Sequence, residues 1–288
     1  LAWQILLAII SAVLLILSFP LPGGKSLGVL GWFCLVGLFL ALEEANSRRA
    51  FLLGLMFGLI SFLGILYWVP YSMIVYAQMK KAWSYFALFL LALIMAGYYA
   101  IFGWAYQKMK SQLEKNSFRF SHLVLGVSSC SLWVSLEYLR AYFPFGGFPW
   151  ALLGVSQYKF LSLIQIADLG GVWMISALVF FGNFSLYALV RFRKKQQMAQ
   201  AGIFLLLFLS SIGYGRWRMA RIDQAFQSSS ELRVGIVQPN IDQSIKWSPE
   251  FFWASLQRHI QMTKELLQTQ KDLIIWPEAS ITTYFNIY

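Results

Sequence analysis

The acidic side chain of Glu278 follows a short apolar segment near the C-terminal end of the sequence. Leu273–Trp276 has the composition of a buried strand, and Pro277 ends it because proline has no N–H to donate to a sheet ladder. Side chains just beyond a strand tip are well placed for catalysis, and partial desolvation beside Trp276 would raise the pKa of the Glu278 carboxyl toward that of a general base. A solvated loop glutamate, or one that begins a helix at its favourable N-terminal end, explains the same residue.

A second apolar segment, Leu232–Asn240, also ends in a polar turn that contains proline, and Ile241–Trp247 follows it. Ser248 and Pro249 have the residue types of a helix N-cap and first helical position. The apolar residues of the next segment, Phe252–Leu267, recur at helical spacing. Strand, helix and strand in this order predict a βαβ-like opening of a layered α/β domain.

An unusual aromatic loop, Glu137–Trp150, is predicted after the fifth apolar run. Its Pro and Gly residues disfavour a helix, while its Phe, Tyr and Trp residues favour contact with lipid. At its start Glu137 and Arg140 stand three residues apart, which places them on one helix face and predicts a structural ion pair at the membrane boundary. Direct contact of these two residues with a substrate remains the alternative.

Two sets of motifs resemble one family. Val237-Gln238, Gln243–Trp247 and Ile274–Ser280 are similar to the opening of a nitrilase-type (carbon–nitrogen hydrolase) domain. Such an opening after a polytopic membrane region resembles the apolipoprotein N-acyltransferases. The same family has a Glu-x-x-Arg followed by Gly-Phe-Pro-Trp and Leu-Leu-Gly-x-Ser-Gln, which is similar to residues 137–157 here.

The resemblance implies an acyltransferase that moves a fatty acyl chain from a phospholipid to the N-terminal amine of a diacylglyceryl-cysteine lipoprotein. The acyl group passes through a cysteine thioester, with a Glu as the base and a Lys that stabilises the oxyanion. By this resemblance Glu278 is the general base, Trp247 lies in the active-site surroundings, and Phe148 and Trp150 shape the lipid entrance. A purely structural Trp247 is equally compatible with the sequence.

The family's Lys and Cys have no counterpart in this chain, since in the family they follow the Glu at a distance. We therefore expect the 288 residues to be the N-terminal part of a longer enzyme and to be inactive alone. This chain has Ile281-Thr282 at a position where related sequences often have a proline.

The resemblance implies no cofactor, a monomer, and as partners a phospholipid acyl donor and a diacylglyceryl apolipoprotein acceptor. A non-catalytic or degenerate membrane protein with a nitrilase-like binding domain is the alternative, and a transporter is disfavoured because the spans have few ionisable residues.

The composition indicates a membrane protein. Hydrophobic residues make up 59% of the chain and charged residues 12%, whereas soluble domains average about 45–50% and about 25%. The net charge of +11 comes from short basic clusters between apolar runs, which favours membrane topology over nucleic-acid binding. Neither the two cysteines, Cys34 and Cys130, nor the two isolated histidines, His122 and His259, have metal-ligand spacing, so no metal is predicted.

Seven apolar runs predict about seven spans, although the second and seventh are short against the about 17–25 residues that a spanning helix needs. The runs are Trp3–Phe19, Leu27–Leu42, Phe51–Val69, Trp83–Tyr106, Leu123–Leu139, Leu163–Val190 and Ala201–Gly213. Gly54 and Gly58 form a small-x-x-x-small pair in the third run, which predicts close helix packing.

The basic loops predict the orientation. One set of alternate loops is richer in Lys and Arg and is expected on the cytoplasmic side, which places the N-terminus inside and the C-terminal domain on the periplasmic, outer side of a bacterial inner membrane. The richer set contains Arg48, Arg49, Lys108, Lys110, Lys115, Arg119, Arg191, Arg193, Lys194 and Lys195. Arg216, Arg218 and Arg221 oppose this bias, because they follow the last apolar run on the predicted outer side.

The predicted architecture is a polytopic α-helical membrane domain over residues 1–218, a polar linker over 219–230, and the N-terminal part of a nitrilase-like α/β (αββα) catalytic domain over 231–288. An incomplete sheet leaves unpaired edges, so we expect this last part to be poorly stable alone.

Overall fold

A computed structural model describes residues 1–115, 121–192 and 195–282. Three basic residues used for the orientation, Arg119, Arg193 and Lys194, lie outside the described residues. The described chain divides into two compact units, one formed by residues 1–74 and 79–222 and the other by residues 75–78 and the described residues from 223 onward.

The first unit is helical, with short helices and 3-10 turns between long apolar helices. Its helices are α1 Ala2–Ser18, α2 Val36–Leu42, α3 Ser47–Ile65, α4 Val69–Val75, α5 Lys81–Lys115, α6 Ser121–Tyr142, α7 Leu161–Ile164, α8 Ala167–Phe192 and α9 Lys195–Gln227. The 3-10 turns are Gly28–Trp32 and Leu153–Gln157.

Five of the described helices, namely α3, α5, α6, α8 and α9, are long and apolar enough to cross a membrane. The first two apolar runs form shorter elements: α1 has 17 residues, and residues 28–42 divide into a 3-10 turn and α2. The predicted linker 219–230 is helical as far as Gln227, because α9 continues through a polar stretch rich in good helix formers.

Helices α3 and α5 pack closely through small residues. A Cβ added at Gly54 would meet the main chain of Tyr99, one at Gly58 would lie 2.8 Å from Cα of Ala96, and one at Gly103 would meet the carbonyl oxygen of Ala50. The predicted packing role of Gly54 and Gly58 is confirmed. Lipid provides no hydrophobic drive for helix association, so such close backbone approach is a main source of attraction.

Aromatic rings fill the centre of the first unit. The Trp133 ring stacks on Tyr99 at 4.8 Å between centroids and meets the edge of Phe102 at 5.1 Å. Asn183 joins α8 to the segment before α2, since its side chain accepts a hydrogen bond from the Leu35 amide and donates one to the Gly31 carbonyl, both at 2.8 Å.

The second unit contains two parallel strands joined by a helix. Strand β1, Val234–Ile236, pairs with β2, Leu273–Ile275, with Gly235 opposite Ile274. Helix α10, Phe252–Leu266, follows a 3-10 turn at Pro249–Phe251 and packs on the sheet face that Gly235 leaves open. The predicted strand–helix–strand order is confirmed, but Ser248 makes no side-chain capping hydrogen bond.

Candidate functional site

The aromatic loop after α6 is anchored by the buried guanidinium of Arg140. Its Nη1 donates to the carbonyl oxygens of Trp150 at 2.6 Å and Phe148 at 3.3 Å, and its Nη2 donates to that of Ala151 at 3.3 Å. The Phe148 amide in turn donates to the Arg140 carbonyl at 2.8 Å. One buried side chain therefore satisfies three carbonyls of an irregular segment, which the low-dielectric surroundings require.

Glu137 holds the next part of the same loop. Its Oε1 accepts a hydrogen bond from the Leu153 amide at 2.7 Å, and the Gly154 amide donates to Ser176 Oγ on α8 at 2.8 Å. The predicted ion pair between Glu137 and Arg140 is wrong: among the contacts of the described residues the two side chains form no salt bridge, because each binds loop backbone instead. Glu137 and Arg140 are both buried, so neither presents an exposed surface to a substrate.

Gln157 ends the loop by tying it to the segment between α1 and α2. Its Nε2 donates to the Gly28 carbonyl at 2.8 Å, and its Oε1 accepts from Trp32 Nε1 at 2.9 Å. The roles of Ser176 and Gln157 escaped sequence reasoning, because their partners lie far away along the chain. The Glu-x-x-Arg spacing did single out the correct two anchors, but not their partners.

Phe148 and Trp150 lie together on the surface of this loop. Their ring centroids are 6.4 Å apart, and Trp150 lies 5.2 Å from Trp68. Trp150 is 53% exposed and Phe145 96% exposed. Exposed aromatic rings on a backbone fixed from below are suited to contact with lipid chains or headgroups.

Glu278 lies in the second unit, in a turn immediately after β2. The residue is exposed, so the partial desolvation expected beside Trp276 is not found. The Trp276 ring is directed toward α10 instead: its Nε1 donates to Thr263 Oγ1 at 2.9 Å, and the ring lies 5.2 Å from His259.

A lysine that sequence reasoning passed over approaches this turn. Lys246 Nζ donates to the main-chain oxygen of Glu278 at 3.1 Å, which brings the segment containing Trp247 beside the turn. Trp247 itself is 61% exposed. The signal that could have found Lys246 is its place in the Gln243–Trp247 motif.

The segment before Lys246 is shaped by Asp242. Its Oδ1 accepts hydrogen bonds from the Ser244 hydroxyl at 2.6 Å and the Ser244 amide at 2.8 Å, and these bonds hold the pKa of the Asp242 carboxyl below its usual value. The amides of Ile245 and Lys246 donate to the Asp242 carbonyl. The turn thereby directs Lys246 toward Glu278.

His259 is a packing residue in the structure. It is buried against Trp276, and its Nδ1 donates to the Ser255 carbonyl at 2.8 Å. Both cysteines are free; Cys34 is buried and Cys130 half-buried.

Comparison with known proteins gives consistent results. Residues 11–185 match the model of the apolipoprotein N-acyltransferase N-terminal domain. Proteins named apolipoprotein N-acyltransferase are similar over most of the chain: that of Geobacter metallireducens is 33% identical over 287 residues, which is 98% of this chain and 52% of that protein.

The protein of that name from Vibrio cholerae is 31% identical over 86% of this chain and 45% of its own length. The protein of that name from Rickettsia prowazekii is 28% identical over 96% of this chain and 51% of its own length. The chain thus spans about half the length of the curated relatives it matches. Since the family model covers more than half of the 288 residues, the chain belongs to the apolipoprotein N-acyltransferase family.

Proposed function

We propose that this chain supplies the membrane region and the opening of the catalytic domain of an enzyme that transfers a fatty acyl chain from a phospholipid to the N-terminal amine of a diacylglyceryl-cysteine lipoprotein. The observation that carries this proposal is the family match over residues 11–185, together with similarity to a protein named for this activity over 98% of the chain.

The proposed architecture is a membrane region of about seven spans at residues 1–218, a linker at 219–230 and the start of a nitrilase-like αββα domain at 231–288. The five long apolar helices, with α1 and the segment Gly28–Leu42 as the two shorter ones, support the span count. The parallel β1 and β2 joined by α10 support an α/β opening. We place the N-terminus inside and the second unit on the periplasmic side of a bacterial inner membrane.

In the proposed reaction Glu278 serves as the general base twice. It first accepts the proton of a cysteine thiol, which by resemblance to the family we expect well downstream of Glu278 in the complete protein, and the thiolate attacks the ester carbonyl of the phospholipid. The lysophospholipid leaves as an alcohol with that proton, and a thioester remains. The amine of the lipoprotein then attacks the thioester, Glu278 takes the amine proton, and the thiol is restored.

The structure supports this role of Glu278 through geometry. The exposed turn after β2 leaves its carboxylate accessible, and Lys246 fixes the main chain at that residue. By resemblance to the family, a lysine that follows Glu278 in the complete protein is proposed to stabilise the oxyanion.

Phe148 and Trp150 are proposed to guide the acyl chain, and Trp247 to contact the substrate near the turn. All three rings are at least partly exposed, and the first two rest on a loop whose main chain is fixed by Arg140. The enzyme is proposed to act as a monomer without a cofactor.

The test uses the complete protein in detergent, a phospholipid with a labelled acyl chain and a synthetic diacylglyceryl-cysteine peptide. Glu278→Gln should lower the transfer rate by about 10²–10⁴-fold, the range for loss of a general base. Glu250→Gln is the matched control, because it makes the same change at another exposed glutamate of the second unit, and it should keep the wild-type rate.

Full acyl transfer by Glu278→Gln would refute the assigned base. Absence of transfer in the wild-type complete protein, folded and with both substrates present, would refute the enzymatic function and favour a binding role.

A further inference from the structure

Helix α9 stands apart from the other helices of the first unit. Only 11% of its apolar window is buried, against 67% for α8. Among the contacts that join α9 to the rest of the unit, the Phe208 and Trp32 ring centroids are 5.2 Å apart, and Gly215 packs against the main chain of Ser162.

A groove of about 510 Å³ remains between α6, α8 and α9. Its walls are almost wholly apolar, with Ile203, Leu207 and Ser211 contributed by α9 and Ala177 at the α8 wall. All of these elements are apolar helices of membrane-spanning length. A space of this size and lining suits a hydrocarbon chain.

The same face of α9 changes character along its length. Ile203, Leu207 and Ser211 lie in the groove, and at the same helical spacing Tyr214, Arg218 and Arg221 follow. From Leu207 to Arg218 the helix rises by about 16 Å, which is close to the depth of one leaflet in a hydrocarbon core of about 30 Å. The face therefore offers apolar contacts at acyl-chain depth and cationic ones at headgroup depth.

The cationic end adjoins the groove through α8. Asp168 precedes Leu169, which lines the groove, and its carboxylate accepts hydrogen bonds from the Tyr214 hydroxyl at 2.8 Å and Arg218 Nε at 2.9 Å. Asp168 offsets one positive charge, but no hydrogen bond of the described residues uses the terminal nitrogens of Arg218. Arg221 lies over the Trp217 ring at 5.7 Å and has no acidic partner among the described residues.

We propose that this groove binds one acyl chain of an anionic phospholipid from the bilayer, with the phosphate held by Arg218 and Arg221. The guanidinium group matches the geometry of a phosphate, and the net positive charge of this cluster favours an anionic headgroup over a zwitterionic one. The lipid is a resident of the membrane region, bound whether or not the chain takes part in acyl transfer.

The experiment places the purified complete protein in phosphatidylcholine nanodiscs that contain a trace of lipid with a diazirine in one acyl chain. The probe is either phosphatidylglycerol or phosphatidylcholine with identical chains, and mass spectrometry measures labelling of the peptide that contains Leu207. Phosphatidylglycerol should label it about fivefold or more above phosphatidylcholine.

Two variants, each with a matched control, test the two ends of the site. Ala177→Phe fills the groove and should remove most labelling, whereas Leu206→Phe, at an exposed position of α9 outside the groove, should not. Arg221→Gln should lower phosphatidylglycerol labelling about fivefold, whereas Arg216→Gln removes an equal charge from another face of the same helix and should change little.

Equal labelling by the two wild-type probes would overturn the proposal, as would Ala177→Phe with unchanged labelling. Loss of labelling that is the same for Arg216→Gln and Arg221→Gln would also overturn it, because it would indicate general surface charge. If Ala177→Phe fails to fold, competition on the wild-type chain decides: unlabelled phosphatidylglycerol must displace the probe better than phosphatidylcholine does.

Discussion

The aromatic loop of the first unit and the Glu278 turn of the second unit are held in opposite ways. In the loop, buried Arg140 and Glu137 bind four main-chain groups. In the turn, the described contacts of Glu278 with side chains consist of one hydrogen bond from Lys246 to its carbonyl. Irregular backbone in an apolar region must be satisfied by protein, whereas water can serve an exposed turn, so the two segments should differ sharply in their sensitivity to mutation.

The largest effect is expected from Arg140→Met. The change leaves three loop carbonyls without their donor. Because an unsatisfied buried acceptor costs about 1–3 kcal/mol, we expect the first unit to lose about 3–5 kcal/mol of stability. Thermal unfolding in detergent measures this loss of stability. Arg140→Lys is the control: it keeps the charge but not the contact with three carbonyls, so its unfolding temperature should lie between those of the wild type and Arg140→Met. A wild-type unfolding temperature for Arg140→Met would remove the basis of the comparison.

Gly147→Ala should be next. Gly147 has a φ of 85°, and a Cβ there would collide with the Ala141 carbonyl. We expect a loss of about 2–4 kcal/mol. Gly146 has the same φ but open space around its Cβ position, so Gly146→Ala should cost only about 1–2 kcal/mol. Equal losses in the same unfolding assay would show that the collision does not matter.

Lys246→Ala tests the weaker segment. Loss of one hydrogen bond to Glu278 should cost about 0.5–1.5 kcal/mol at most, but hydrogen exchange of residues 278–280 should become faster. Lys271→Ala, which removes a bond to Thr269 in the same unit, is the control and should leave that exchange unchanged. A loss as large as that of Arg140→Met would erase the difference between the two segments.

The smallest effect concerns the pH dependence of the strand pair. Hydrogen bonds from Arg233 hold the pKa of the Asp272 carboxyl below its usual value. The bond from the Arg233 side chain has the larger effect, and the bond from the Arg233 amide the smaller one. The stabilisation is present above the unfolded pKa of about 3.9, and it is lost as the pH falls through the lower folded value, because the unfolded state then binds more protons. Trp276 fluorescence during acid titration should show this loss, and Asp272→Asn should flatten the curve. An unchanged curve for Asp272→Asn would contradict it.

Part of this architecture follows from local patterns in the sequence. Apolar runs predict the long helices, and alternating strand and helix patterns predict β1, α10 and β2, because burial and periodicity are properties of neighbouring residues. The extension of α9 to Gln227 was missed because polarity suggested a linker although the residues favour a helix.

Contacts between distant residues could not be predicted in this way. The spacing of Glu137 and Arg140 predicts a pair, yet the demand of buried loop carbonyls for donors outweighs it, and that demand exists only after the loop has folded back. Likewise the contact of Lys246 with Glu278 depends on the parallel pairing that brings residues 246 and 278 together. The roles of Glu278, Trp247, Phe148 and Trp150 stay predictions.

The glycine contacts of α3 and α5 have a consequence for biosynthesis. The two helices are separated only by the short α4 and its flanking residues, and the atoms nearest to the Cβ positions of Gly54, Gly58 and Gly103 all belong to α3 and α5. Chains emerge from the ribosome N-terminal end first, at about 5–20 residues per second, so this hairpin can assemble several seconds before α8 and α9 are made. A bulky residue at Gly54 should therefore hinder the earliest step of assembly in the bilayer.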